Sequence, residues 1–194
     1  MPPLTLPVIS CSLDPSSASR RLAERSARYL AEAGHTAPLV DLVDHPLPAF
    51  DNDAVFTSSA FTRLHDVISH SDGVVLAFPI YNWAPASSVK NLIEATGTTG
   101  DGVRTAAWFD KVVTFVCAAG LPHSYMATGQ LANSLMLDFK CIVNPYTAYV
   151  SERDWTAEGD LVESRTNRLA KTLTVHAELS GALLDRSYRS EWEI

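Results

Sequence analysis

Apolar and polar positions along this chain follow two rhythms that take turns from one end to the other. Residues 4–9, Leu-Thr-Leu-Pro-Val-Ile, form a short apolar run of strand type. Leu22, Ala23, Ser26, Ala27, Leu30 and Ala33 then recur at helical spacing until Gly34 stops them. Residues 37–43 predict a second strand, and Phe61, Leu64, Val67 and Ile68 mark the next helix face. A third strand is expected over 73–78, with Val89, Leu92, Ile93 and Thr96 on the helix after it. Residues 112–117 predict a fourth strand, followed by a helix carrying Leu131, Leu135 and Met136. Residues 141–150 hold a fifth, and 161–179 a final long helix. Five strands alternating with helices predict an α/β domain of three layers, a parallel sheet covered on both faces.

Between these elements, residues 44–53 carry prolines and turn residues and read as a loop, and 97–102, rich in glycine, as a mobile one. The tail, about 183–194, is polar with aromatics; it wraps its own subunit, docks on a neighbour or frays. There is no internal repeat, and a length of 194 residues fits one domain over 1–194.

The chemistry lies where strands end. The third strand stops at Pro79, and Ile80, Tyr81, Asn82 and Trp83 follow before the next helix begins. In an open parallel sheet, ligands sit in the crevice outside the carboxyl ends of the strands. Rings and an amide placed there suit a flat, hydrogen-bonding heterocycle. After the first strand come Ser10, Cys11, Ser12, Leu13, Asp14, Pro15, Ser16, Ser17, Ala18 and Ser19, leading into a helix. Hydroxyls and free amides at a helix N-terminus make an anion site. A serine-rich turn of this kind is also a common helix cap. One loop for a phosphate and another for a planar ring together describe flavin mononucleotide (FMN).

These two segments resemble the motifs of the NADPH-dependent FMN reductase family, which has a flavodoxin-like fold. Its first motif is Gly-Ser-x-Arg-x-x-Ser-x-Asn, on which Cys11, Ser12, Asp14, Ser17 and Ser19 fall at the specified positions. Its second is Pro-x-Tyr-Asn-Gly-Ser-x-Pro-x-x-Leu-Lys-Asn. Pro79, Tyr81, Asn82, Lys90 and Asn91 match it, with Pro85 one place ahead of the motif's second proline, Trp83 and Ala84 in place of Gly-Ser and Val89 in place of Leu. Trp108-Phe109-Asp110-Lys111-Val112-Val113 resembles the family's approach to strand four. The resemblance implies a doubly wound five-stranded parallel sheet of order 2-1-3-4-5. It implies that Ser10, Ser12, Ser17, Ala18 and Ser19 hold the FMN phosphate. Pro79, Ile80, Tyr81, Asn82 and Trp83 would meet the ring, and Ala118, Ala119 and Gly120 would close the crevice after strand four. Trp83, His123 and Tyr125 are the expected substrate walls, and Arg20 and Arg21 could offset the charge of Asp14. A homodimer or homotetramer is also implied.

The bulk properties narrow this further. A net charge of -7 leaves no basic footprint for nucleic acid. No apolar run approaches the roughly 20 residues of a membrane span, and the start, Met-Pro-Pro-Leu-Thr, lacks the basic n-region of a secretory signal. A cytoplasmic protein is expected. Cys11, Cys117 and Cys141 have no close pairing, and the six histidines show no metal-ligand spacing, so no metal is implied. A GxGxxG fingerprint, a P-loop and a GxSxG elbow are all absent.

The expected activity is an FMN-dependent oxidoreductase. It takes hydride from NADPH or NADH and reduces a small acceptor (flavin, quinone, azo compound or metal ion) by a ping-pong mechanism. The flavin carries the chemistry, and no catalytic side chain is expected. Two alternatives share these residues: a flavodoxin-like carrier serving a protein partner, and a degenerate member that binds no flavin.

Overall fold

Strand β1 (Val8–Ser10) lies inside a parallel sheet, between β2 (Leu39–Asp41) and β3 (Gly73–Tyr81). The computed structural model describes residues 2–98 and 106–190. A two-residue strand, β4 (Ala84–Pro85), folds back antiparallel on the end of β3. The other edge of β3 pairs with β5 (Val112–Ala119), and β5 pairs with two short pieces, β6 (Ile142–Val143) and β7 (Ala148–Ser151). With the divided fifth strand counted once, the order is the expected 2-1-3-4-5.

Strand side chains alternate between the two faces. Val8, Val75, Ala77 and Val116 pack under α1 (Ala18–Glu32) and α5 (Glu163–Ala182), against Leu22, Leu30 and Leu173. Ile9, Leu76, Phe78 and Phe115 face α2 (Ser59–Ser69), α3 (Ser87–Gly97) and α4 (Gly129–Phe139), against Leu64, Leu92 and Leu135. Each fully buried side chain of this size contributes roughly 1.5–3 kcal/mol. Both helix layers are therefore fastened to the sheet on their own account.

The second strand is shorter than expected and the fourth runs on to Ala119; the other three differ from their expected limits at a proline. The first is shorter, since Pro7 has no N–H to donate; Leu6 N still donates to Thr36 O and Val8 N to Pro38 O, at 2.8 and 3.0 Å. The third is longer and runs through Pro79 to Tyr81. Ala77 O accepts from Cys11 N, so Pro79, two residues on, turns its backbone to the same side, where β1 has ended and no donor is required. The fifth is broken at Asn144 and Pro145. Asn144 Oδ1 accepts from Tyr146 N at 2.9 Å, an Asx turn. Three steps along β5, Val113 to Val116, then correspond to five along the fifth strand, Val143 to Ala148.

The Trp108–Lys111 stretch is structural bracing. Trp108 Nε1 donates to Thr96 Oγ1 (2.8 Å), and Lys111 Nζ donates to Ser69 O (2.9 Å) at the end of α2. Asp110 is buried and accepts from Ser190 N at 2.9 Å, which lays the chain after α5 on its own subunit. Residues 99–102 of the glycine-rich loop and 191–194 of the tail lie outside the described residues; Gly97 ends α3.

Candidate functional site

The ends of β1, β3 and β5 are brought level by their register: Ser10 stands beside Ala77, and Pro79 beside Ala118. The loops leaving these three strands therefore meet at one edge of the sheet, on both sides of the point where the strand order reverses. Ser88, in the first turn of α3, donates from Oγ to Cys11 O and ties the loop after β1 to the helix after β3.

The loop after β1 is organised by its own polar groups. Asp14 Oδ1 accepts from Ser16 N (2.9 Å) and Ser16 Oγ (2.7 Å), and Ser12 Oγ accepts from Asp14 N (3.2 Å). Ser17 caps α1, its Oγ accepting from Arg20 N at 3.2 Å and lying 3.2 Å from Ser19 Oγ. Ala18 N and Ser19 N follow at the head of the helix with no acceptor among the described residues. Ser10 Oγ is buried and also has no hydrogen-bond partner there. Buried hydroxyls are normally satisfied, so this orphan and the two amides leave a polar cradle that an anion would complete. FMN phosphate fits this donor set.

The charges nearby are arranged differently from expectation. The hydrogen bonds from Ser16 hold the Asp14 carboxyl below the usual range, so this acid stays ionised and bound within its own turn. Arg20 Nη1 lies 3.1 Å from Asp41 Oδ2 at the end of β2, an ionic contact off the line of a hydrogen bond. Arg21 sits over the Trp155 ring, 3.9 Å from its centroid. Neither arginine is left to offset Asp14, and the cradle is one of hydroxyls and amides.

All three cysteines are buried free thiols. Burial first, then the Asp41 carboxylate, pushes the Cys11 thiol far up, so it does not supply a thiolate at neutral pH. Cys11 instead packs into the core with Ile9 and Leu42.

The segment after β3 is a two-residue hairpin. Tyr81 pairs with Ala84 and Ile80 with Pro85, and the turn residues Asn82 and Trp83 have φ of 49° and 61°. Two positive φ values define a type I′ turn, which favours Asn-Gly. Trp83 occupies the glycine position at a cost of about 1–2 kcal/mol for a left-handed L-residue. Its ring is 60% exposed and Tyr81 is 55% exposed, while Ile80 is buried. Ala86 N donates to Pro79 O at 3.1 Å and closes the hairpin onto α3.

The third loop leaves β5 at Ala119. Gly120 has no positive φ, and a Cβ there would meet only Glu152 Oε1, at 3.6 Å. The chain itself does not require glycine at this place; close approach by a ligand would. Tyr149 OH donates to Leu121 O and shares a 2.8 Å hydrogen bond with Ser124 Oγ, which fastens the loop to the fifth strand. A 3-10 turn over Ser124–Thr128 packs beside β4. His123 and Tyr125 are exposed, and His123 has no hydrogen bond among the described residues.

The geometry thus gathers Ser10, Ser12, Ser17, Ala18 and Ser19 in one loop, Pro79–Trp83 in the second and Ala118–Gly120 in the third, with the three loops neighbours. Tyr125 also borders a second cleft toward α5. Sequence reasoning missed three contributors: Ser88, which bridges two loops, Glu152, beside Gly120, and a 480 Å³ groove between Leu13, Phe50 and Ser87. The signal for Ser88 was its place just after Pro85; Glu152 gave none. Asn91, matched by motif, braces the 44–53 loop by accepting from Phe50 N (2.7 Å) and donating to Pro48 O (2.9 Å).

A family model described as NADPH-dependent FMN reductase matches residues 4–156, most of the chain and all three loops. The chain belongs to the NADPH-dependent FMN reductase family. It is accordingly a flavin-dependent oxidoreductase by family, using a nicotinamide nucleotide. Among solved structures, an NADH:FMN oxidoreductase (EMOB, apo form) aligns with a TM-score of 0.74 at 15% identity, over 95% of this chain and 92% of that one. The NAD(P)H:acceptor oxidoreductase FerB from Paracoccus denitrificans aligns with a TM-score of 0.73 at 21% identity, over 92% and 98%. An oxidoreductase from Corynebacterium diphtheriae gives 0.71 at 18% identity, over 93% and 98%. These likenesses show the fold of the chain. A search of curated protein sequences finds no match to the chain.

Among the described residues of the reductase, no group of three or more His, Cys, Asp or Glu is placed to hold a metal ion, and no helix is long and apolar enough to cross a membrane.

Proposed function

We propose that this chain binds FMN in the three-loop crevice and carries electrons from NADPH or NADH to a small acceptor in two half-reactions at one face. The observation that carries this reading is the juxtaposition itself. An unsatisfied hydroxyl–amide cradle at the head of α1 stands beside the hairpin after β3 and the Gly120 loop after β5, whose strands the register brings level. Bound there, FMN supplies the capacity to accept and return a hydride.

The protein's part is placement. Ser10, Ser12, Ser17 and Ser19, with the Ala18 and Ser19 amides, hold the phosphate, helped by the dipole of α1. Pro79–Trp83 and Ala118–Gly120 hold the ring edge through backbone groups. Trp83 and Tyr125 offer flat faces that orient a nicotinamide or an aromatic acceptor in turn. His123, exposed and unpartnered, has no geometry for obligatory acid catalysis. One face serving two substrates in succession gives ping-pong kinetics.

Tyr81, Trp83, Leu121, Tyr125 and Met126 are all exposed around the crevice. Apolar surface of this kind favours a homodimer or homotetramer in which a neighbour roofs the site. Light scattering on the eluting protein tests this, and a strict monomer removes it. Three reduced, buried thiols and a nicotinamide co-substrate fit the cytoplasm.

The deciding experiment is the visible spectrum of the purified protein before and after anaerobic NADPH. A flavin spectrum that bleaches supports the reductase. A flavin that stays oxidised turns the reading to an electron carrier, and no flavin after incubation with FMN removes both.

A further inference from the structure

A cleft of 450 Å³ lies between the loop after β5, the break in the fifth strand and the first turns of α5. Pro122 and Tyr125 form one wall, Pro145 and Tyr149 another, and Arg165 and Arg168 reach in from the helix. We propose that this cleft is a subsite for a phosphate group carried beside a flat ring, as at the adenosine end of a pyridine nucleotide. The inference rests on the reductase reading above, which brings such a nucleotide to the adjoining loop.

Both guanidinium groups are held by one nitrogen and free at the other two. Arg165 donates from Nε to Asp154 Oδ1 at 2.9 Å, and Asp154 is itself fixed by Ser151 N and Oγ at 2.7 and 2.8 Å. Arg168 donates from Nε to Thr147 O at 3.1 Å. The terminal nitrogens of both have no hydrogen-bond partner among the described residues. Such a fork matches two oxygens of a phosphate.

The surroundings reinforce this. Tyr146 lies beneath Arg168 and Lys171, at 5.2 and 5.6 Å from its ring centroid, which sets a second cation beside Arg168. The N-terminal end of α5 contributes positive potential at the same place. With Arg165 ion-paired to Asp154, Arg168 and Lys171 are the cations of this stretch without a carboxylate partner among the described residues, in a chain of net charge -7. The Tyr149 hydroxyl is held by Ser124 and Leu121, so its ring is a rigid wall, and Tyr125 stands on the loop that also borders the crevice. A cleft of this volume lies within the range of small-ligand sites, roughly 300–1,000 Å³.

The test is calorimetric titration of the flavin-loaded protein with adenosine 2′,5′-bisphosphate, which needs no turnover. The bisphosphate should bind, more weakly as salt rises, and adenosine about tenfold or more less tightly. Arg168→Gln should weaken bisphosphate binding about tenfold and raise the KM for NADPH without lowering kcat, with Arg168→Lys intermediate. Arg28→Gln, on an exposed part of α1, should change neither. Absence of binding to the wild-type protein, or equal binding by Arg168→Gln, overturns the nucleotide assignment. A higher KM for anthraquinone-2-sulfonate in Arg168→Gln, with menadione and bisphosphate unchanged, transfers the oxyanion site to the acceptor. Loss of NADPH bleaching in the wild type would count against the reductase reading; intact bleaching with an indifferent Arg168→Gln titration removes the subsite alone.

Discussion

The loops after β1 and β3 flank the same crevice but are built in opposite ways. The first spends its side chains on itself: Asp14, Ser16, Ser12 and Ser17 each bond within the turn, and what it leaves unsatisfied is backbone and one buried hydroxyl. The second makes few side-chain bonds, holds two residues at positive φ and exposes its largest rings. The difference teaches a division of labour. A small, highly charged group needs fixed donors, whereas a flat ring that exchanges partners needs surface and tolerates strain in the backbone that presents it.

The largest expected effect comes from the opposite end of the sheet, near Gly73 at the start of β3, and has to be known before either loop is titrated with acid. His176 is buried under β5, sharing a 2.9 Å hydrogen bond with Thr114, and burial, with His35 adding a smaller push, lowers its pKa to about 3. The unfolded chain binds a proton near pH 6.5 that the folded state refuses. Stability should therefore be level above that pH and fall by about 1 kcal/mol per pH unit as pH drops from 6.5 toward 3. Urea unfolding at pH 7, 6, 5 and 4 measures the slope, and His176→Gln should flatten it. An unchanged slope in that variant would place acid sensitivity elsewhere, with the crevice loops the next suspects.

Ser17→Ala addresses the first loop directly. It removes the α1 cap, costing about 1 kcal/mol of stability, and a hydroxyl of the proposed phosphate cradle. A lost hydrogen bond to a charged group corresponds to roughly 1.5–3 kcal/mol, so the FMN dissociation constant should rise at least tenfold. Fluorescence titration of FMN into the stripped protein reads this. If stability falls and FMN affinity does not, Ser17 is a helix cap and nothing more.

Trp83→Gly should do the reverse in the second loop. Glycine relieves the left-handed strain but adds backbone entropy of about 0.5–1 kcal/mol to the unfolded chain, so the thermal midpoint should hold or rise slightly. FMN affinity should change little, while relative KM values for bulky and small quinones should shift. A large loss of FMN with unchanged acceptor preference would make Trp83 part of the cofactor's seat and erase the contrast between the loops.

Much of this contrast was legible in the chain. The serine run ahead of a helix face gave the first loop, the alternation of strands with helices gave the parallel sheet, and the family resemblance gave its order. What was not legible depended on contacts far apart in sequence. Pro79 read as a stop, because nothing local shows that β1 ends beside it and excuses its missing N–H. Asn144 and Pro145 sat inside an apolar run, and their break in the fifth strand became visible only with Thr114 and Thr172 packed around the Asn144 amide. Arg20 and Arg21 lay close to Asp14 along the chain, yet Asp41 and Trp155 claim them in space. The arginines of α5 carried no motif at all; their grouping with Tyr125 and Tyr149 is a product of the tertiary fold.

The smallest effect concerns Asp14, and its sign decides how the first loop treats charge. The carboxyl is ionised at neutral pH because its charged form accepts from Ser16, so its contribution to the turn is present above the ordinary aspartate pKa and disappears only as pH falls through its lowered value. Asp14→Asn keeps an oxygen for Ser16 and deletes the charge. Like charges in water repel only weakly, and salt screens the repulsion further. If that repulsion reaches the phosphate, FMN should bind about two- to threefold tighter at low salt, and the gain should fade above roughly 0.1 M, where the Debye length is about 10 Å. Equal affinity at every salt concentration would mean that the turn directs Asp14 to solvent and that the loop discriminates by hydrogen bonding alone. Weaker binding would mean that the negative charge preorganises the Ser16–Ser17 amides more than it repels the ligand, and the first loop would then depend on a carboxylate to present an anion site.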